Sequence, residues 1–140
     1  MTITLLIMAI QKFLKEQLAD DMRPVPPVLL GYLPQSNAGN PGYPVIKIRP
    51  AEGEGDSGQG QIQIKLQFGA QSEDDTGLID MLNLMERVRI LLLRKRVLEQ
   101  QFVMDASWKM KLNEEHPAAD WGGELTTTWV LPQIRPEVKL

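Results

Sequence analysis

The chain has 140 residues, of which 43% are hydrophobic and 24% charged, with a formal net charge of −3 and no cysteine. This length and composition fit one folded domain and exclude disorder throughout the chain. The lack of cysteine excludes disulfides and thiolate metal sites. The acidic balance disfavours a protein that binds DNA through its phosphates.

The first element is an amphipathic helix. Apolar side chains recur at three-to-four spacing, which predicts a helix over residues 2 to 20: Ile3, Ile7, Ile10, Leu14 and Leu18. Prolines at positions 24, 26 and 27 prevent its continuation. The apolar run at the start is too short to span a bilayer and lacks the flanks of a signal peptide, so we expect no membrane partner.

Residues 24 to 44 are rich in proline and glycine and predict an irregular segment with one short strand at 28–32. A strand at 45–49 follows, bracketed by Pro44 and Pro50. Residues 51–60, with the sequence AEGEGDSGQG, predict a mobile acidic loop because glycines and acids cannot form a core.

Strict alternation marks the next strand. Ile62, Ile64, Leu66 and Phe68 alternate with polar residues over 61–68. Period two predicts a strand with one buried and one wet face. With 45–49 it forms a hairpin with a long acidic tip.

A second helix is predicted over 76 to 95, with its apolar stripe formed by Leu78, Met81, Met85, Val88 and Leu92. Side chains that can cap its start precede it: Ser72, Asp74 and Asp75.

Two strands complete the chain, at 102–112 and 125–131. We expect Trp108 and Trp129 in the core and Trp121 as a candidate interface anchor, because tryptophan is frequent at binding hot spots. Gly122 and Gly123 indicate a bulge or a close backbone approach. The order α-β-β-α-β-β predicts a single α+β domain over 1–140, with an antiparallel or mixed sheet and two helices.

Catalytic patterns are missing from the sequence. His116 is the only histidine, whereas metal sites usually take two or more histidine or cysteine ligands. The alternating Glu52, Glu54 and Asp56 have no closing carboxylate, so they do not make an EF-hand loop. We therefore expect no catalytic residue, no cofactor and no metal.

A basic cluster lies at and after the second helix: Arg87, Arg89, Arg94, Lys95 and Arg96. It is either a solvated helix face whose cationic end suits the helix dipole, or a contact to acid on a neighbouring subunit or to DNA. The candidate interface residues are Glu52, Glu54, Asp56, Arg87, Arg94, Arg96 and Trp121.

Three segments carry a resemblance to a known family: Leu30–Pro34, Tyr43–Pro50 and Asp120–Pro132. With the order of elements, they resemble the tail terminator and tail-completion proteins of long-tailed phages, the lambda-type terminator included. The resemblance implies a hexameric ring that caps the tail tube, stops its polymerisation and joins the head. Its partners would be the tail-tube protein and the head-tail connector protein.

The same resemblance implies that DNA passes through the lumen without specific binding. The protein would be made in the host cytoplasm and end in the virion tail or neck. The alternatives are a head-tail connector or stopper, a non-viral protein-binding domain acting as a monomer or dimer, and a small enzyme.

Overall fold

The computed structural model describes residues 2–21, 25–31, 44–56, 59–113 and 120–132. Within them lie two helices and six strands: α1 Thr2–Asp21, β1 Val28–Leu30, β2 Val45–Gly55, β3 Gly60–Gln71, α2 Thr76–Lys95, β4 Val97–Leu98, β5 Phe102–Leu112 and β6 Asp120–Val130. The α+β class is confirmed, as are the bounds of both helices to within one residue. The predicted order contains four strands, and the structure adds β1, which falls within the short strand predicted at 28–32, and the two-residue β4, which was not predicted.

The six strands form one mixed sheet in the order β1-β2-β3-β6-β5-β4. β1 runs parallel to β2, and every other pairing is antiparallel. The last strand in the chain, β6, therefore lies in the middle of the sheet, between β3 and β5.

Both helices pack on one face of the sheet, which we call the helix face. α1 contacts β1, β2 and, at the other edge of the sheet, β4, whereas α2 contacts β3, β6 and β5. The alternation predicted for β3 is confirmed, since its four large apolar side chains are buried under the helices: Ile62, Ile64, Leu66 and Phe68. The opposite face, here called the open face, carries the intervening polar residues of β3.

Two hydrogen bonds in series satisfy the buried polar side-chain atoms of Trp129 and Thr127. Trp129 and Thr127 are both fully buried. The Trp129 Nε1 donates to Thr127 Oγ1 at 2.9 Å, and that hydroxyl donates to the carbonyl oxygen of Ile64 at 3.0 Å. The core position predicted for Trp129 is confirmed.

The start of α2 is capped by two of the three expected side chains. The Thr76 amide donates to Asp74 Oδ1 at 3.0 Å, and the Gly77 amide donates to Ser72 Oγ at 2.8 Å. Asp75 makes no side-chain capping bond. The hydrogen bond from the Thr76 amide holds the pKa of Asp74 below its usual value.

The loop predicted over 51–60 is wrong for most of its length. β2 continues to Gly55 and β3 begins at Gly60, with a register shift between Pro50 and Gly53. Pairing with β3 satisfies the backbone groups on one side of this acidic segment, which holds it as a strand without apolar side chains of its own. The turn is closed by the Asp56 amide, which donates to the Gln59 carbonyl at 3.0 Å. The expected mobility of the segment stays a prediction.

Candidate functional site

The strand β5 is paired on its outer side over only part of its length. β4 pairs with Phe102 and Val103 at the start of β5. Within the part of the chain that the structure describes, no strand pairs with the outer side of β5 beyond these residues. We call the outer side of residues 108–112 the β5 edge. The outward backbone groups of this edge, which no described strand pairs with, can pair with another strand.

The β5 edge carries an apolar stripe on the helix face. Trp108, Met110 and Leu112 pair with residues of β6 whose side chains face the helices. Nevertheless they are 40%, 37% and 42% exposed, because α2 lies mainly over β3 and β6. The core position predicted for Trp108 is therefore wrong, although its side chain lies on the face of the sheet that carries the core. Such a group of exposed apolar side chains is typical of a binding surface.

The Trp108 ring is held in place by an arginine of α2. The Arg89 guanidinium lies 4.8 Å from the centroid of the Trp108 ring, within cation–π range. Arg89 is also 3.8 Å from the Glu86 carboxylate. The contact with Arg89 thus orients the Trp108 ring within the chain itself.

The other face of the β5 edge is basic. Lys109 pairs with Thr126 and Lys111 with Glu124, so both lysines lie on the open face, and both are exposed. Further along the same face lies Lys65, whose Nζ is 3.5 Å from a Glu124 carboxylate oxygen. The net charge of −3 is therefore not spread evenly, and the open face near β5 is cationic.

A second uncovered edge lies at the opposite side of the sheet. β1 pairs only with residues 46 to 48 of β2. In the described ranges no strand pairs with the outer side of Ala51–Gly55, which we call the β2 arm. Glu54 pairs with Gln61, and its side chain therefore lies on the open face. Glu52 lies in the irregular stretch between Pro50 and Gly53, and it lines the same depression as Glu54, Gln61 and Gln63, so it also lies on the open face. Both carboxylates are exposed.

The remaining predicted interface residues do not converge on one site. Asp56 lies in the turn next to the β2 arm. Arg94 is exposed in the last turn of α2, and Arg87 is half-buried on that helix. Arg96 follows α2 with a left-handed backbone (φ 54°) and donates from Nε to the Met104 carbonyl at 3.2 Å, which ties the helix end to β5.

Trp121 has an intramolecular contact that its predicted interface role did not include. It is partly buried, and its Nε1 donates to Ser72 Oγ at 3.3 Å. Because Ser72 also caps α2, this bond joins β6 to the first turn of the helix. Its role as an interface anchor stays a prediction.

Sequence reasoning missed Lys109 and Lys111 as surface determinants. The signal was present in the alternation Trp-Lys-Met-Lys-Leu over 108–112. The period of two assigns these residues to two faces of the strand. It does not indicate that α2 leaves the apolar face partly exposed.

An open groove of about 580 Å³ lies beside α1, where Leu5, Met8, Ala9 and Phe102 are joined by six polar or charged residues. Among the described residues, no three acidic, histidine or cysteine side chains are grouped to hold a metal. His116 lies outside the described residues.

No described helix is long and apolar enough to cross a membrane.

No family model matches the chain, and no curated protein matches it. Eleven chains of solved structures match. One of them is 17% identical with a TM-score of 0.55, and the match covers 98% of this chain and 99% of that one. At this identity the likeness shows a shared fold alone.

Proposed function

We propose that the chain is a phage tail terminator, a subunit of a ring that caps the tail tube, stops its polymerisation and provides the surface for head joining. The proposal takes its biological setting from the family resemblance of the three segments described above. Its physical support is the pair of uncovered edges, which lie at opposite sides of one sheet.

The two edges differ in chemistry, which favours a ring over a two-fold dimer. A two-fold contact uses the same patch on both subunits, whereas a ring joins one patch to a different patch on the next copy. The β5 edge has large apolar side chains on one face and basic side chains on the other. The β2 arm has acidic side chains and otherwise only glycine and alanine. Each edge suits the other better than it suits itself.

A ring of this kind would act in the virion tail or neck after assembly in the host cytoplasm. One face of the ring would meet the tail-tube protein and the other the head-tail connector protein. DNA would pass through the lumen without specific binding. A non-stick lumen requires that surfaces other than the cationic part of the open face line the channel, since Lys and Arg attract phosphate.

The proposal is tested by polymerising the tail-tube protein of the same phage with and without this protein. We expect tubes to stop lengthening when the protein is present, and native mass spectrometry to show a ring, with six copies as the expected number. Tubes that lengthen unchanged would overturn the terminator function. A protein that stays monomeric in concentrated solution, with and without tubes, would exclude the ring.

A head-tail connector or stopper has similar requirements and remains the second candidate. Imaging of assembled particles separates the two, because a terminator ring contacts the tube directly and a stopper contacts the portal side. The same imaging shows which face of the ring meets the head.

A further inference from the structure

We infer that the β5 edge of one copy pairs with the β2 arm of the next, so that one sheet continues into its neighbour around the ring. This inference rests on the ring proposed above and names the surface that forms it. The two edges face outward from opposite sides of the six-stranded sheet. Each presents backbone groups that no described strand pairs with.

The strand directions are compatible with this contact. Three antiparallel pairings lie between β2 and β5, namely β2–β3, β3–β6 and β6–β5, so β5 runs opposite to β2. When the next copy continues the sheet with the same orientation around a ring, its β2 arm runs antiparallel to the β5 edge. The open faces of both copies then lie on the same side.

The charges on the open face match at equal spacing. Glu52 and Glu54 are two residues apart on the arm, and Lys109 and Lys111 are two residues apart on the edge. In strands this spacing is about 6–7 Å. An antiparallel register therefore places Glu54 opposite Lys109 and Glu52 opposite Lys111, carboxylate against ammonium at both positions.

The same register matches side-chain size on the helix face. It places Gly55 opposite Trp108 and Gly53 opposite Met110, both beyond the irregularity between Pro50 and Gly53. Large apolar side chains thus lie over positions with little or no side chain, an arrangement known to stabilise glycine in strands. A Cβ at Gly55 would lie 2.6 Å from the Gln59 carbonyl oxygen, so this position cannot take a larger residue without distorting the turn.

The two short outer strands leave the paired segment free. β4 covers β5 only at Phe102 and Val103, before the edge begins. β1 covers β2 only at residues 46 to 48, before the arm begins. In the proposed register the two short strands fall beyond opposite ends of the paired segment, so neither blocks the contact.

Charge reversal tests the pairing. One variant carries Lys109→Glu with Lys111→Glu, and a second carries Glu52→Lys with Glu54→Lys. All four side chains are exposed, so both variants should fold, and circular dichroism checks this. The matched control is Lys12→Glu with Lys15→Glu, two exposed lysines of α1.

We expect each double variant alone to lose the ring and run as a monomer in native mass spectrometry, because like charges oppose each other at every contact. An equimolar mixture of the two should recover the ring with alternating copies, since every contact then joins acid to base. The control should assemble as the unmodified chain does.

The outcomes separate this inference from the proposed function. A ring formed by either variant alone at the unmodified level, or no recovery in the mixture, overturns the pairing and leaves the terminator proposal standing. A ring that behaves as expected but does not stop tube growth supports the pairing and overturns the terminator function. An unmodified chain that remains monomeric overturns the pairing.

Engineered cysteines test the register independently, because the natural chain has none. Glu54→Cys with Lys109→Cys places two thiols opposite each other across the contact, within disulfide reach. Within one chain these two positions lie near opposite edges of the sheet, too far apart to form a disulfide with each other. Oxidation should therefore produce covalent oligomers on a denaturing gel. Glu54→Cys with Lys111→Cys, two residues out of register, should cross-link several-fold less. Equal yields from both pairs would overturn the register.

Discussion

The indole Nε1 of Trp129 donates a hydrogen bond to the hydroxyl of Thr127 at 2.9 Å, and both residues are fully buried. The hydroxyl donates onward to the Ile64 carbonyl, so the largest side chain of the core depends on a single threonine. Thr127→Val keeps the shape of that side chain but leaves the indole N–H without this acceptor. We expect the free energy of unfolding to fall by about 1–3 kcal/mol.

Urea denaturation measures this loss, and Thr128→Val is the matched control because Thr128 lies on the open face. The control should change stability by less than about 0.5 kcal/mol. Equal effects at both positions would contradict the role of the buried hydroxyl.

Trp108→Ala should have little effect on folding of the isolated chain. The side chain is 40% exposed and its main specific contact is with Arg89, so we expect a loss of about 1 kcal/mol or less. Trp129→Ala, at a fully buried position, should cost about 3–5 kcal/mol. Thermal and urea unfolding of both variants check this, and a larger loss at Trp108 than at Trp129 would contradict it.

Asp74→Ala should weaken the start of α2 in a pH-dependent manner. The Asp74 pKa is lowered by the hydrogen bond from the Thr76 amide, so the charged form contributes stability that is present above the unfolded pKa of about 3.8. That contribution is lost as the pH falls through the lower, folded pKa. The stability difference between Asp74→Ala and the unmodified chain should therefore shrink as the pH is lowered below about 3.8.

Denaturation curves at several pH values measure this difference. Asp75→Ala is the control, because Asp75 makes no capping bond through its side chain. A difference for Asp74→Ala that is constant down to pH 2 would show that the carboxylate charge is not involved.

Gln100→Gly should stabilise the turn between β4 and β5. Glu99 and Gln100 have φ values of 52° and 59°, a left-handed conformation that glycine adopts easily and other residues do not. The turn is closed by the Gln101 amide, which donates to the Leu98 carbonyl at 3.1 Å. We expect a gain of about 0.5–1 kcal/mol in urea denaturation.

Gln101→Gly provides the comparison for this turn, since Gln101 is not among the residues with positive φ. This change should lower stability through the added freedom of the unfolded chain. A gain at position 101 as large as that at position 100 would rule out relief of backbone strain as the cause.

The helices and β3 could be predicted from the sequence because their signals are local. Both helices have continuous three-to-four periodicity, and the prolines after α1 limit its end. The four buried residues of β3 alternate without interruption. In these segments, propensity, pattern and boundary signals agree, so no distant contact was needed to define them.

The errors occurred where a distant element decides the outcome. The β2 arm is glycine and glutamate, residues that are poor strand formers, and it is a strand only because β3 pairs with it. Trp108 lies on the helix face of β5, as a core residue would, but its exposure depends on how far α2 extends across the sheet. The central place of β6 involves pairing across some sixty residues, which no local pattern records.

The sheet is completed late in synthesis, because its central strand β6 is the last of the six described strands to be translated. A nascent chain that has emerged from the ribosome only as far as β5 has no strand to join β5 to β3, so the sheet is in two separate parts. The β5 edge cannot be presented on the same sheet as the β2 arm until Asp120–Val130 has been translated and inserted between them. In the proposed pairing, a chain that lacks β6 would therefore not present both edges on one sheet and would not join a ring.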